Sequence, residues 1–553
     1  MMPEVESRRS FSLLDEAWVP CLGLDGETRA LSLRDVFAQA GSVRDIVGEL
    51  PTQTFAIIRL MLAVMHRALG ESVRDEADWG EIWSDGLPVD AIQQYLERYR
   101  DRFDLLHPET PFFQVAGLHT AKHEVKDITP LLFDVPSNNR LFTGRAGRAL
   151  GALDYDEAAR WLVHLQCFDV SGIKSGAVGD ERVRGGKGFP IGTGWGGMIG
   201  GLLVEGRTLA QTLVLNFVPA STREAAGDLP PWERAPDTAA ARADETPRGP
   251  VDLMTWQSRR VRLVHDGAAV TGCVVANGDR ITPQNRFGLE QHSAWRYSRA
   301  QTKGAGGPVY MPREHQPAQA YWRGIAGLLV RREASAGAGA PARLMPPGVL
   351  QWLARMQRNG ELPRSQPIAP HAYGVVYGSQ QSVVSDVIND RYLVPLAALD
   401  EQRQPRLAGA ARSGVEAAAQ AVRELGNLAG NLALAAGQRD SGQRDRALET
   451  GYHALDRPFR AWLAALDVER DAEQQLDAWK REVKRMILRF GEALVARAGD
   501  AAWRGRAPDP INATQLMNSA IAEERFERAL RKNLAMLSTD AASTHPNTED
   551  TDG

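Results

Sequence analysis

Apolar residues recur at spacings of three and four over residues 56–69 (AIIRLMLAVMHRAL), with Arg59, His66 and Arg67 on the other side, and this predicts an amphipathic helix. Residues 158–168 predict a second helix. Between them, the prolines of 107–114 (HPETPFFQ) and 127–132 (DITPLL) stop regular elements. Residues 208–218 (TLAQTLVLNFV) fit either a strand or a buried helix, and the runs at 261–264 and 272–275 predict two short strands. From about residue 400 the composition shifts to Ala, Leu, Glu, Arg and Gln, which favours helix. Leu476, Trp479, Val483, Met486, Ile487, Phe490 and Leu494 trace one face of an α-helix. With 415–436, 445–466 and 512–537, this stretch predicts an antiparallel four-helix bundle whose connections contain Gly437 and the prolines of 508–510. Pro458, near the middle of the second helix, predicts a break there.

The expected architecture is therefore a mixed α+β large N-terminal domain (11–399), an all-α four-helix bundle (400–537) and a disordered tail (538–553). Residues 221–250, rich in Ala, Pro, Asp, Glu and Arg, are expected to form a flexible insertion. The 553 residues are 43% hydrophobic and 24% charged, within the ordinary globular range. Cys21, Cys167 and Cys273 are too scattered for a disulfide framework or a four-cysteine zinc site. With no apolar leader and no long apolar run, a cytoplasmic protein without a membrane partner is expected.

Motifs for catalysis are weak. Gly192, Gly194 and Gly197 fit G-x-G-x-x-G, but Pro190 precedes them where a strand should stand, and Gly200 and Gly201 interrupt any helix that follows. A P-loop fails because Gly188 occupies the Ser/Thr position and Glu181 the first glycine. His119 and His123, four apart, could share a helix face as metal ligands, yet their polar surroundings suit two solvated histidines. The residues point to a non-enzyme with no cofactor and no metal. The alternatives are a metal-dependent nuclease acting on DNA through His119 and His123, or a helical scaffold that binds only proteins.

The formal charge of −4 gives no sign of a polyanion partner, but the local distribution does. Between 271 and 332 stand nine basic residues, Arg280, Arg286, Arg296, Arg299, Lys303, Arg313, Arg323, Arg331 and Arg332, against Asp279, Glu290 and Glu314. Phe287, Trp295, Tyr297, Tyr310 and Trp322 are interleaved, a mixture suited to phosphate contact and base stacking. An arginine-rich face neutralised from elsewhere in the fold fits equally. Arg182, Arg184 and Lys187 lie among Gly185, Gly186 and Gly188, where bare backbone can approach a phosphate; a plain glycine turn is the alternative. Gln380 and Gln381 occupy the turn YGSQQS and could hydrogen-bond base edges, although the pair taken by itself reads as a plain polar loop.

These loops, in this order after the opening LLDEAWVP, together with NNRLFTGRAG at 138–147, TWQ at 255–257 and the C-terminal helices, resemble the CasA family, the large subunit of the type I-E CRISPR surveillance complex Cascade. The resemblance runs from about residue 11 to 537. It implies a non-enzymatic subunit that recognises the protospacer-adjacent motif in double-stranded target DNA. It also implies help in opening the duplex for the guide RNA, and recruitment of a helicase-nuclease; the partners are the other Cascade subunits, guide RNA, target DNA and that effector. Base pairing reads the long sequence, so such a protein need read only a short motif and duplex shape. Carried over by position, the wedge falls on Gln381, flanked by Gln380 and Ser382, and the DNA-contacting glycine loop on Gly185, Gly186, Lys187 and Gly188. The motif-reading lysine of the family falls on Arg286, anchored by Phe287 and Trp295. The loop that contacts the complex and the guide-RNA end falls on Asn139, Phe142, Thr143 and Gly144. Cys273 stands alone where some relatives carry a cysteine cluster, so no zinc is expected.

Overall fold

The computed structural model describes residues 10–135, 143–145, 147–219, 227–317, 319–330, 341–438, 442–506 and 516–536. The fold class is the expected one, mixed α+β followed by a helical C-terminal region. The chain divides into two compact units: Met1–Tyr321 with Ala334–Pro363 and Ile368–Arg391, and Trp322–Glu333 with Arg364–Pro367 and Tyr392–Gly553.

In the first unit, strands β1 (Val19–Gly23), β2 (Thr28–Leu31) and β3 (Val43–Ile46) form a small antiparallel sheet, followed by helix α1 (Pro51–Leu69). After α2 (Tyr155–Phe168) come β4 (Lys174–Ser175), β5 (Lys187–Gly188), β6 (Gly201–Glu205), α3 (Leu209–Asn216), β7 (Arg259–His265) and β8 (Val270–Asn277). The remaining strands are β9 (Trp295–Tyr297), β10 (Tyr310–Pro312), β11 (Leu344–Met345), β12 (Pro367–Tyr377) and β13 (Val384–Arg391). They pair in the orders β5-β4-β8-β7, β10-β9-β11 and β6-β12-β13. The two strands expected near 261 and 272 are β7 and β8, one antiparallel hairpin; the ambiguous 208–218 stretch is helix α3, capped by the Thr208 side chain.

Pro51 opens α1 at a position where a missing N–H costs nothing. The helix is not amphipathic as its spacing suggests, because Arg59 is 1% and His66 8% exposed. Arg59 enters the core because Glu290 meets it there in a two-bonded ion pair, 3.0 and 2.9 Å. Burial pushes His66 down to about 3, so it sits neutral against Phe217. Arg67, at the end of α1, forms two 2.8 Å bonds to Glu233. That bond also changes the picture of residues 221–250. From Gly227 onward this segment is held down: Trp232 is 2% exposed, Asp228 accepts the backbone N–H groups of Val251 and Asp252, and Arg242 pairs with Asp252. Composition could not show these ion pairs, since each partner lies outside or at the edge of the segment.

The second unit is built on α4 (Pro405–Ala435), which packs against α5 (Gln443–Ala464), α6 (Ala472–Ala496) and α7 (Ser519–Asn533). The apolar face read from Leu476 to Leu494 is largely the buried one, with Leu476, Trp479, Val483 and Ile487 inside. Gly414 lets α4 come close: a Cβ there would lie 2.4 Å from the Trp462 ring, and its carbonyl accepts the Trp479 indole N–H. Pro458 does not break α5. It removes one ladder bond, while Leu455, Phe459 and Leu463 on the buried face keep the turns on either side in line. Trp322, far upstream of the bundle helices, belongs to this unit. Its ring stacks on Phe459 at 4.1 Å and its N–H donates to Asp456 at 2.7 Å.

Removing one member of the buried pair should be costly. Arg59→Met is expected to lower the unfolding free energy by about 3–5 kcal/mol, because it leaves Glu290 charged and unpaired in the core. Arg59→Met with Glu290→Gln, which removes the charge and keeps one acceptor oxygen for either the Trp195 indole or the His292 N–H, should recover part of that loss. Urea unfolding monitored by tryptophan emission reads both, and equal midpoints for Arg59→Met and the parent would refute the expectation.

Candidate nucleic-acid interface

The tip between β12 and β13 is a tight turn over Ser379–Gln381. Gly378 donates to the Val383 carbonyl, Gln381 N–H to Gly378, and the Ser382 hydroxyl to Ser379. Gln380 and Gln381 have φ of 54° and 56°, the left-handed region that glycine and asparagine usually fill. Both side chains are exposed and receive no packing in return. Backbone strain of about 1–3 kcal/mol per residue persists only where surrounding structure enforces it. Here the enforcement is visible: Ser171 N–H donates to the Gln381 carbonyl at 2.9 Å, and Tyr377 OH to the Phe168 carbonyl at 2.7 Å.

The same segment after α2 carries the glycine loop. Lys174 and Ser175 in β4 pair with Gly188 and Lys187 in β5, and Gly176 N–H donates to the Gly186 carbonyl. Arg184 and Lys187 exchange backbone hydrogen bonds around Gly185 and Gly186, whose φ values are 57° and 73°. This is the geometry of a two-residue hairpin turn with left-handed central residues. A Cβ at either glycine would meet nothing within 4 Å, so the requirement for glycine there is conformational and the backbone is open. The tip and the loop thus hang from Ser171 and Gly176, which are separated by no more than about 18 Å of extended chain.

Of the basic residues near this loop, Arg182 is committed to Asp180 by two bonds of 2.9 and 3.0 Å. Arg184 and Lys187 are exposed and make no ion pair among the described residues. Arg286 donates to the Thr282 carbonyl and the Thr246 hydroxyl. Partial burial lowers its pKa from the usual arginine range, with Asp244 acting the other way.

The 271–332 stretch with its nine basic residues is not one patch. Arg323 lies in the second unit over the Tyr452 ring, and Arg331 and Arg332 fall outside the described residues. Asp279 and Glu290 are consumed by Arg260 and Arg59 from elsewhere, which leaves exposed Arg280, Arg296, Arg299 and Lys303 without an acidic partner among the described residues. The interleaved aromatics do not form a stacking surface. Phe287 packs edge-on against Trp295 and Tyr310, Trp295 is 1% exposed, and Trp322 is buried in the second unit.

Asn139 and Phe142 lie outside the described residues. Thr143 accepts the Arg145 N–H, and Arg145 is tied to Asp134, fixing the end of that loop beside exposed Gly144. His119 and His123 stack face to face at 4.8 Å in irregular chain and not on a helix, with His123 at φ 52°. Among the described residues no three His, Cys, Asp or Glu side chains gather as a metal site would need. The G-x-G-x-x-G glycines serve packing, since a Cβ at Gly194 would lie 2.4 Å from the Cys167 carbonyl. Sequence reasoning missed the 169–174 segment, where buried Asp169 is shared by Arg259 and Lys174. Its residues, DVSGIK, carry no periodic or motif signal.

A family model described as CRISPR-associated protein Cse1 matches residues 12–490. CRISPR-associated protein CasA/Cse1 of Thermus thermophilus is 28% identical over 551 residues, spanning 95% of this chain and 98% of that protein. The crystal structure of Thermobifida fusca Cse1 is 42% identical with a TM-score of 0.87, spanning 96% of this chain and 99% of that one. Acidimicrobium ferrooxidans Cse1 is 30% identical with a TM-score of 0.78, spanning 95% and 98%. A chain from a structure described as a CRISPR RNA-guided surveillance complex shares the fold at 19% identity, with a TM-score of 0.66, over 88% of this chain and 98% of that one. With the match of the family model over most of its length, the chain belongs to the CRISPR-associated Cse1 (CasA) family.

Proposed function

We propose that this chain is the large subunit of a CRISPR surveillance complex, working with the other subunits and a guide RNA. In this reading it recognises a short motif in duplex DNA, parts the duplex beside that motif, and offers a docking surface to a helicase-nuclease. The observation that carries the reading is the strained pair Gln380–Gln381 on an exposed hairpin tip, tethered to the segment that also holds the open glycine loop. A strained, exposed, tethered tip has no role in packing, and strain retained at such a place is a mark of function. Membership of the Cse1 family and a shared fold with a chain of an RNA-guided surveillance complex support the same reading.

Gln381, with Gln380 and Ser382 beside it, is the wedge. Separating a base step costs a few kcal/mol, which contacts along the groove must offset. Gly185, Gly186 and Lys187 supply bare backbone and a cation to the phosphates, and Gly188 keeps the loop seated against Asn277. Arg286 reads the motif; its planar fork, held by Thr282 and Thr246, differs from a lysine ammonium in the acceptors it can engage. Thr143 and Gly144, with Asn139 and Phe142, meet the guide-RNA end. The subunit performs no catalysis of its own and works in the cytoplasm; no helix among the described residues is long and apolar enough to cross a membrane.

Gln381→Ala combined with Gly186→Asp should abolish the assembled complex's discrimination between targets with and without the motif, and unchanged discrimination in a filter-binding assay would sink the reading. Arg286→Ala should weaken motif-dependent binding by about 5- to 150-fold, the worth of one good base contact. Titration across salt concentrations checks this, since loss of a mere phosphate contact would weaken all sequences alike. Incubation of the purified chain with duplex DNA and manganese should give no cleavage; cleavage abolished by His119→Ala would favour the nuclease alternative.

A further inference from the structure

Beside the hairpin tip, in the first unit, is a cleft of about 590 Å³ that the roles above leave unused. Its volume is within the roughly 300–1,000 Å³ usual for small-molecule sites. Pro130, Leu131, Phe133 and Val275 supply apolar walls, and Ile173 stands at the rim 56% exposed. Lys126 and Lys174 supply two ammonium groups, and Ser382, at the foot of the tip, forms part of the lining. Lys174 is already paired with Asp169, which Arg259 shares, and Asp127 also lines the cleft, so the exposed Lys126 is the cation left to meet a ligand.

A second observation points to a ligand. His164 lines the cleft and is 0% exposed; its Nε2 meets Thr52 Oγ1 at 2.9 Å, but its Nδ1 has no hydrogen-bond partner among the described residues. Burial holds this ring neutral, with a pKa pushed down to about 3. A neutral imidazole nitrogen left unpaired in a protein interior costs about 1–3 kcal/mol, so a group that bonds to it is favoured there.

Apolar walls, an aromatic edge, one unpaired ring nitrogen and one exposed cation match one ligand chemistry: an unpaired nucleotide, with its base among the walls and its phosphate toward Lys126. We propose that this cleft captures a single nucleotide released from pairing. Enzymes that take bases out of a duplex hold them in the same way, between apolar or aromatic side chains with polar groups on the base edge. The nucleotide could come from a parted DNA strand or from an RNA end, since both carry the same base and phosphate. The inference rests on the hairpin tip being where strands separate, and capture would stop the parted strands from closing again.

The full chain would be titrated with two single-stranded oligomers, one DNA and one RNA, each carrying 2-aminopurine, whose emission reports the environment of the base and not of the phosphate. Phe133→Ala with Ile173→Ala should lose the emission change and weaken binding about tenfold, the range for one stacked base. Lys126→Ala, at an exposed position, should weaken binding without abolishing the emission change, and it guards against a folding defect in the double variant. Effects confined to the DNA oligomer identify a DNA strand as the source, and effects confined to RNA identify an RNA end. Wild-type emission and affinity for both oligomers in both variants would overturn the proposal. Gln381→Ala separates it from the wedge reading: oligomer capture should persist while opening of a forked duplex fails. If fork opening also persists in Gln381→Ala, the wedge reading fails and the capture result stands by itself.

Discussion

The first unit is organised around a charge that has no access to water. Arg59 lies on a helix whose every face is buried, and it is tolerable there because Glu290, 231 residues later in the chain, meets both of its terminal nitrogens. Burial alone would raise the Glu290 pKa, but Arg59 and the indole N–H of Trp195, 2.6 Å away, hold it below the usual carboxylate value. An uncompensated ion in such a place costs several kcal/mol, so the three pieces of chain cannot separate independently. These pieces are α1, the glycine-rich turn at Trp195–Met198 and the segment running from Arg286 into β9. A buried ion pair is directional where apolar packing is not, and it sets where Arg286 emerges relative to α1.

The candidate interface makes the opposite use of free energy. Its parts are loops with little packing of their own: two left-handed glutamines, two left-handed glycines and a guanidinium held by a carbonyl and a hydroxyl. Each is mounted on something rigid. The tip closes a long hairpin, β12–β13, and the glycine loop closes β4–β5, which joins the parallel pairing with β8. The proposed wedge must not yield before paired bases do, and the bonds from Ser171 and Tyr377 to the tip's surroundings give the tip that stiffness.

The second unit is governed by shape. Gly414 permits α4 to approach Trp462 and Trp479, and Trp322 arrives from far upstream to stack on Phe459. A cluster of large aromatic rings around one glycine explains why a helix can run through Pro458 without breaking: the loss of one backbone bond is small beside the packing on either side.

Much of this was legible before the structure. Spacing of apolar residues located α1, α2 and the bundle helices, because a helix repeats its buried face every three to four residues whatever it packs against. The resemblance carried by short loops named Gln381, the glycine loop and Arg286. The polar side of α1 was misjudged, since periodicity cannot reveal that Glu290 waits in the core for Arg59. The segment from Gly227 read as flexible because its anchors, Arg67 and Asp252, lie outside it. Local charge counting found a basic region but could not tell that two of its acids are spent elsewhere and that Arg323 belongs to the other unit. The sequence by itself determined the main helices, the two strands near 261 and 272, the fold class and the family, all of which depend on near neighbours or on short motifs. Only the tertiary structure decided which charges remain free, which glutamines are strained, and that the tip and the glycine loop hang from one short segment, because these depend on contacts between residues far apart in the chain.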